Sequence, residues 1–205
     1  MKWDKSIERL LQKYCDESKV RENLHRAAYY RYKTLTTLFQ LPVIILSAVA
    51  GSATFLSKGY PTAEEAITNT TAGVSILVSI ISAVASYLQL GETKSKHETA
   101  EVSWQHFYNG IKHELNLHRE LRSDPEEYIQ DVKTSYDRLF EISPLCNKGL
   151  IDNVRRQIVK NATPEFQIPN YMNGWEHTHV YDSHSEYEEN TVELGGNDGR
   201  NQEEV

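Results

Sequence analysis

The sequence predicts an all-α membrane protein: a two-span transmembrane helical hairpin, cytoplasmic helices before and after it, and a disordered acidic C-terminal tail. Three observations carry this. Residues 34–57 and 66–91 are runs of 24 and 26 residues without a charged side chain. A hydrocarbon core of ~30 Å needs ~20 helical residues, so both runs are long enough to span it. Outside them apolar residues recur at three- and four-residue steps, and no strand-like alternation of any length is present. Charge is also uneven: residues 164–205 hold ten acidic side chains and one basic one, Arg200, while the rest carries 19 acidic and 21 basic groups. A near-neutral body with an acidic tail lacks the basic stripe of a nucleic-acid binder.

Residues 1–33 read as a cytoplasmic amphipathic helix. Trp3, Ile7, Leu10 and Tyr14, then Leu24 and Ala27, fall at helical spacing, with Lys, Arg and Glu on the other side. The helix runs directly into the first span, 34–57, where Pro42 stands near the cytoplasmic end as a potential kink. Residues 58–65, with Gly59 and Pro61, are short enough to force a hairpin turn. The second span, 66–91, is expected to continue as a helix past the membrane, with Gly91 as the joint. The cytoplasmic region, 92–163, shows Ala100, Trp104, Phe107, Ile111, Leu115 and His118 at steps of three or four. Ser123-Asp124-Pro125-Glu126-Glu127 then starts a new helix, with a cap, proline in the first turn and acids beside it. Ile129, Val132, Tyr136 and Leu139 form its apolar face, and Pro144 ends it. Leu150, Ile151, Val154 and Ile158 mark a last helix ending near Asn161. From Pro164 no period survives, and 164–205 reads as disordered.

Lys and Arg set the orientation. Lys19, Arg21, Arg26, Arg31 and Lys33 precede the first span, Lys94 and Lys96 follow the second, and the turn has only Lys58. The positive-inside rule then places both termini in the cytoplasm and 58–65 outside. Within the second span Ser75, Ser79, Ser82 and Ser86 fall in a ~60° arc, which Gln89 extends, while Leu77, Ile81, Val84 and Leu88 lie opposite. The first span has a weaker polar side made of Thr37, Gln40, Ser47, Gly51 and Thr54. In lipid such a face is expected to meet another helix or water, so Ser75, Ser79, Ser82, Ser86, Gln89, Gln40, Ser47 and Gly51 are the candidate helix-packing or pore-lining residues.

Catalytic chemistry finds no support. His113 and His118 stand five apart, about 140° around a helix, so the zinc-protease spacing of four is missed. His106 and His113 share a face without an evident third ligand. His177, His179 and His184 read as polar tail residues, and Cys15 and Cys146 as reduced thiols. No phosphate-cradling glycine loop and no nucleophile with base and orienter are present, so no enzyme activity and no cofactor are expected. His25 and His97 lie near the cytoplasmic ends of the two spans. They are candidate pH-sensitive residues, against the plainer reading of histidines that pack or bond locally.

The stretch "LHRAAYYRYKTLTTLFQLPVIILSAVAGSATF", the hairpin, "KHETAEVSWQHFYNGIKHEL" and "DPEEYIQDVKTSYDRLFEISP" together resemble the SLATT family, the SMODS-and-SLOG-associating two-transmembrane effectors. The resemblance covers roughly residues 5–160 and rests on His25 with Ala27–Tyr30, the hairpin, His97 and the Tyr136 to Pro144 ending. It implies a non-enzymatic membrane effector that a nucleotide-generating or nucleotide-sensing partner triggers to assemble and breach the bilayer. The partners expected are therefore the lipid bilayer, further copies of the chain and a cytoplasmic sensor or regulatory protein, with no nucleic acid. The competing expectation is a scaffold whose hairpin anchors a cytoplasmic helical bundle and a partner-recruiting tail.

Overall fold

The structure, a computed structural model, describes residues 2–57, 59, 62–161, 163, 166, 168, 169 and 172. Among them it is all-helical, without a strand. The elements are α1 (Lys5–Ser57), α2 (Glu64–Tyr87), α3 (Leu90–Asn116), a 3-10 turn (Arg119–Leu121), α4 (Pro125–Ile142) and α5 (Lys148–Asn161). Two helical stretches, one within α1 and one within α2–α3, are long and apolar enough to cross a membrane.

Helix α1 is continuous for 53 residues and passes through Pro42 without a break; at ~1.5 Å per residue it is about 80 Å long. Asp4 starts it, its carboxylate accepting the Ile7 amide hydrogen at 2.8 Å, as an N-cap does. Helix α3 lies antiparallel to the first half of α1. Arg119 and Arg122, just beyond its end, clamp Glu8. Further along the pair, the Cys15 thiol faces the Tyr108 carbonyl, His25 meets His97, and Arg26 pairs with Glu101 at 2.7 Å.

Two apolar clusters hold together the helices outside the apolar stretches. In one, Ile7, Leu11, Cys15, Ile111 and Val132 join α1, α3 and α4. In the other, Val20, Leu24 and Ala28 of α1 meet Leu150 and Val154 of α5. Leu10, expected on the apolar face, is 42 % exposed, whereas Leu11 is fully buried; α1 turns Ile7, Leu11 and Cys15 inward, an i, i+4, i+8 row. Helices α3 and α4 are in contact. Tyr136 packs edge-on against Trp104 (5.5 Å) and Tyr14 (5.0 Å) and lies beside Phe107. Arg21 sits over Trp104 and Phe140 at 5.3 and 4.8 Å, a cation–π contact.

Local signals account for the helix ends. Asp124 caps α4, accepting from the Glu126 and Glu127 amides. At the end of α3, the Arg122 guanidinium donates to the Leu115 and Leu117 carbonyls, and Glu114, itself buried, accepts from the Ser123 amide at 2.6 Å. Carbonyls and amides that a helix end leaves unpaired are thereby satisfied.

Two boundaries differ from the sequence reading. The joint between α2 and α3 is at Gln89 rather than Gly91. Gln89 has φ 48°, the left-handed region, and its carbonyl restarts the ladder by accepting from Thr93. Apolar Leu90, 6 % exposed, is buried just after this break, which sets the turn ahead of the glycine. The disordered tail was expected from Pro164, yet Met172 is buried, and Phe166 and Ile168 pack against the α1–α5 cluster. These single apolar residues have no period, so a periodicity argument passes over them. Residues 173–205, including His177, His179 and His184, lie outside the described residues.

Candidate functional site

Two features of the structure bear on function: the surface of the apolar helices, and a side-chain cluster just below them. Within residues 37–55 of α1 the half-buried positions are Phe39, Val43, Leu46, Ala50 and Ala53; in α2 they are Ile67, Thr71, Val74, Val78, Ile81, Ser82 and Ala85. Both sets recur at three or four residues, and α1 and α2 are in contact, so these rows mark the faces the two helices turn toward each other. Small side chains, Ala50, Ala53 and Ala85, stand among the bulkier ones there.

Of the candidate polar residues only Ser82 is on those rows. Ser75, Ser79 and Ser86 of α2 and Gln40, Ser47 and Gly51 of α1 are exposed; only Ser82 reaches the edge of the contact face. Ser75 and Ser79 donate their hydroxyls back to the Thr71 and Ser75 carbonyls, both at 2.9 Å, the usual local bond of a helix serine. Gln89 lies past the end of α2, which closes at Tyr87, and is the joint to α3. Ile81, expected opposite the serines and clear of protein, is half-buried on the α1 side, in step with Val74, Val78 and Ala85.

Below this layer the structure brings His25 and His97 together. Their Nδ1 atoms are 3.0 Å apart and their rings 5.3 Å apart, both residues being buried. Tyr32, two turns further along the same face of α1, stacks on His97 at 5.4 Å and 15°. The third member is Cys146, in the segment between α4 and α5, with Sγ 3.9 Å from His25 Nδ1. Neutral imidazoles are favoured here, since burial disfavours the charged form. Burial first, then His97 and Arg21, draws His25 down to about 4, and burial draws His97 down as well. Burial also pushes the Cys146 thiol up to about 11 against the pull of Arg21. With both rings neutral, the short contact is one Nδ1–H donating to the other Nδ1 lone pair. Burial lowers both histidines from their ordinary value and holds them as a locally bonded pair, the plainer of the two readings of these residues.

The cluster sits beside a charged network on α1. Glu22 is fully buried and is paired with Lys19 at 2.8 Å and Arg26 at 2.6 Å. Arg21 is paired with Glu17, which also accepts from the Tyr136 hydroxyl. His106 and His113 are exposed, and Glu114 is spent on the Ser123 amide, so the imperfect zinc-protease pattern assembles nothing. Cys146 was the member that sequence reasoning missed. It lies 121 residues from His25 in a segment without helical period, and no local signal connects the two.

No family model, curated protein or solved structure matches this chain.

Proposed function

We propose that the chain is a non-enzymatic two-pass membrane protein, with both termini cytoplasmic, that self-associates through one side of its hairpin to form or gate a pore. This is the role implied by its resemblance to the SLATT effectors. The observation that carries the reading is the contrast between its halves. The cytoplasmic helices bury Leu11, Trp104 and Ile111 completely, whereas none of the most apolar 18-residue stretch of either long helix is buried. Ile44, Ile45, Val49, Phe55, Ile76 and Leu77 are all more than half exposed. A surface of that size and apolarity needs lipid or another protein around it.

The rotational order of the two helices supports self-association. On α1 the polar residues Gln40, Ser47, Gly51 and Thr54 lie roughly 60–120° further round than the row facing α2. On α2 the four serines lie roughly 60–120° further round than the row facing α1, in the same sense. In an antiparallel pair, equal rotation on each helix brings both stripes to one side. The hairpin then has one polar side and, with Leu38, Ile45, Val49, Leu77, Val84 and Leu88, one apolar side. Lipid suits the second; the first favours a second copy or water, and hydroxyl bonds across helices add ~0.6 kcal/mol each.

The scaffold reading is favoured by a different observation. The Ser75 and Ser79 hydroxyls are already bonded to their own helix and demand no partner. Dye release from liposomes, with crosslinking alongside, separates the readings. Replacing Ser79 and Ser82 together by Leu should abolish leakage or assembly, while Leu77→Ile leaves both intact. A wild-type chain that inserts, crosslinks poorly and releases no dye would leave the scaffold as the answer.

A further inference from the structure

We propose that His25, His97 and Cys146 form a binding site for a single transition-metal ion of the zinc class, which ties α1, α3 and the α4–α5 segment together beneath the membrane layer. The inference is independent of the pore reading. Among the described residues, this is the one group of three such side chains whose ligand atoms converge, all within 4.8 Å of one another. Two imidazole nitrogens and a thiol are the donors that zinc-like ions take and that calcium and magnesium refuse.

The spacing is close to what an ion would impose. With metal–nitrogen distances near 2.05 Å and metal–sulfur near 2.3 Å, tetrahedral geometry puts the nitrogens about 3.3 Å apart and nitrogen and sulfur about 3.6 Å apart. The empty cluster has 3.0 Å between the nitrogens and 3.9 Å from sulfur to nitrogen. Opening the nitrogen contact and closing the sulfur–His25 contact by about 0.3 Å each, and drawing His97 and Cys146, whose ligand atoms lie within 4.8 Å, to about 3.6 Å, accommodates the ion. Burial prepares the imidazoles, because neutral rings present lone pairs rather than protons. The thiol is protonated when the site is empty, so binding forms one metal–sulfur bond and two metal–nitrogen bonds and releases the thiol proton to solvent. The Nδ1 proton shared between the rings moves to Nε2, so that both Nδ1 atoms ligate. The fourth position is left to water. Arg21 is the cation that bears on both His25 and Cys146, and Glu17 offsets it. Tyr32, stacked on His97, restricts the ring.

The test uses the full chain in detergent, stripped of metal and titrated with Co²⁺, whose thiolate bond gives a charge-transfer absorption. One equivalent should bind per chain, and Zn²⁺ should displace it. Cys15→Ser should keep the absorption and Cys146→Ser should lose it. His97→Asn should weaken binding more than the ~100-fold that an outer-shell change can cause. Cys146→Ser changes one half-buried atom, so unchanged helix content in that variant ensures that loss of absorption reports the ligand. As a second readout, Zn²⁺ should slow alkylation of Cys146 at least tenfold and leave Cys15 unaffected. A triple replacement of His177, His179 and His184 should retain the absorption. No cobalt absorption in the wild-type chain, an undiminished one in Cys146→Ser, or its loss in the tail variant would each overturn the proposal.

Discussion

Truncating Trp104 should loosen the bundle that α3 forms with α1 and α4. Trp104 is fully buried. Its ring meets Phe107 and Tyr136 edge-on at 5.9 and 5.5 Å, and Arg21 lies 5.3 Å from its centre. Its indole N–H donates to the Ser143 hydroxyl at 2.8 Å, and that hydroxyl donates onward to the Leu139 carbonyl. Trp104→Ala therefore opens a cavity between α1, α3 and α4, and such truncations cost about 3–5 kcal/mol. Trp104→Phe keeps much of the ring and loses the donor, so it should cost about 1–2 kcal/mol. Ser143→Ala leaves the buried indole N–H without its acceptor, again about 1–3 kcal/mol. In the Trp104→Phe background no N–H remains, so the Ser143→Ala cost should fall by about 1 kcal/mol, the coupling of the pair. Amide hydrogen exchange along α3, measured on the full chain in detergent, reads these values. At 1.4 kcal/mol per tenfold, Trp104→Ala should speed exchange by about 10²–10³-fold. Acceleration below threefold, or equal effects from Ala and Phe, would refute the packing argument.

Gln89 holds a left-handed φ of 48°, which costs a non-glycine residue about 1 kcal/mol, so Gln89→Gly should raise stability in chemical denaturation by up to that amount and Gln89→Ile should lower it. Ending the chain after Met172 should leave the thermal midpoint of the bundle unchanged, whereas ending it after Thr163 removes Met172, Phe166 and Ile168 from the α1–α5 cluster and should cost about 2–4 kcal/mol of apolar burial. Arg119 and Arg122 hold the Glu8 carboxyl below its ordinary value of 4.5. Its contribution is present above about pH 4.5 and disappears as pH falls through the lowered value, so Glu8→Gln should flatten the acid limb of stability, by less than about 1 kcal/mol given the solvent exposure of the clamp.

The helices themselves were legible because each is written locally. Two charge-free runs long enough for a bilayer, the Asp124-Pro125 start of α4 and the Leu150-Val154-Ile158 row of α5 each need only neighbouring residues to be read. What was not legible depends on residues far apart in the chain. Cys146 joins His25 and His97 only because α5 folds back on α1. Leu11 displaces Leu10 from the core because the inward direction of α1 is set by α3 and α4, and a helix with apolar residues at both positions offers no local way to choose. Phe166, Ile168 and Met172 find a surface that two other helices create. Sequence position located the candidate histidines; tertiary packing decided their chemistry, by burying both rings in contact.

The two connections between the apolar helical stretches and the helical bundle differ mechanically. Helix α1 passes through both as one helix, Pro42 alone lacking an amide hydrogen for the ladder. Helix α2 reaches α3 only through Leu88 and Gln89, where the ladder breaks and restarts. A displacement of the helical bundle is therefore carried along α1 as one helix, while α2 has a pivot at the end that leads into α3. His97 stands two helical turns beyond that pivot and is fixed to His25 on α1. The contact between the two histidines thus spans the unbroken connection and the broken one. Whatever holds that contact closed also limits how far α2 can turn its serine side relative to α1.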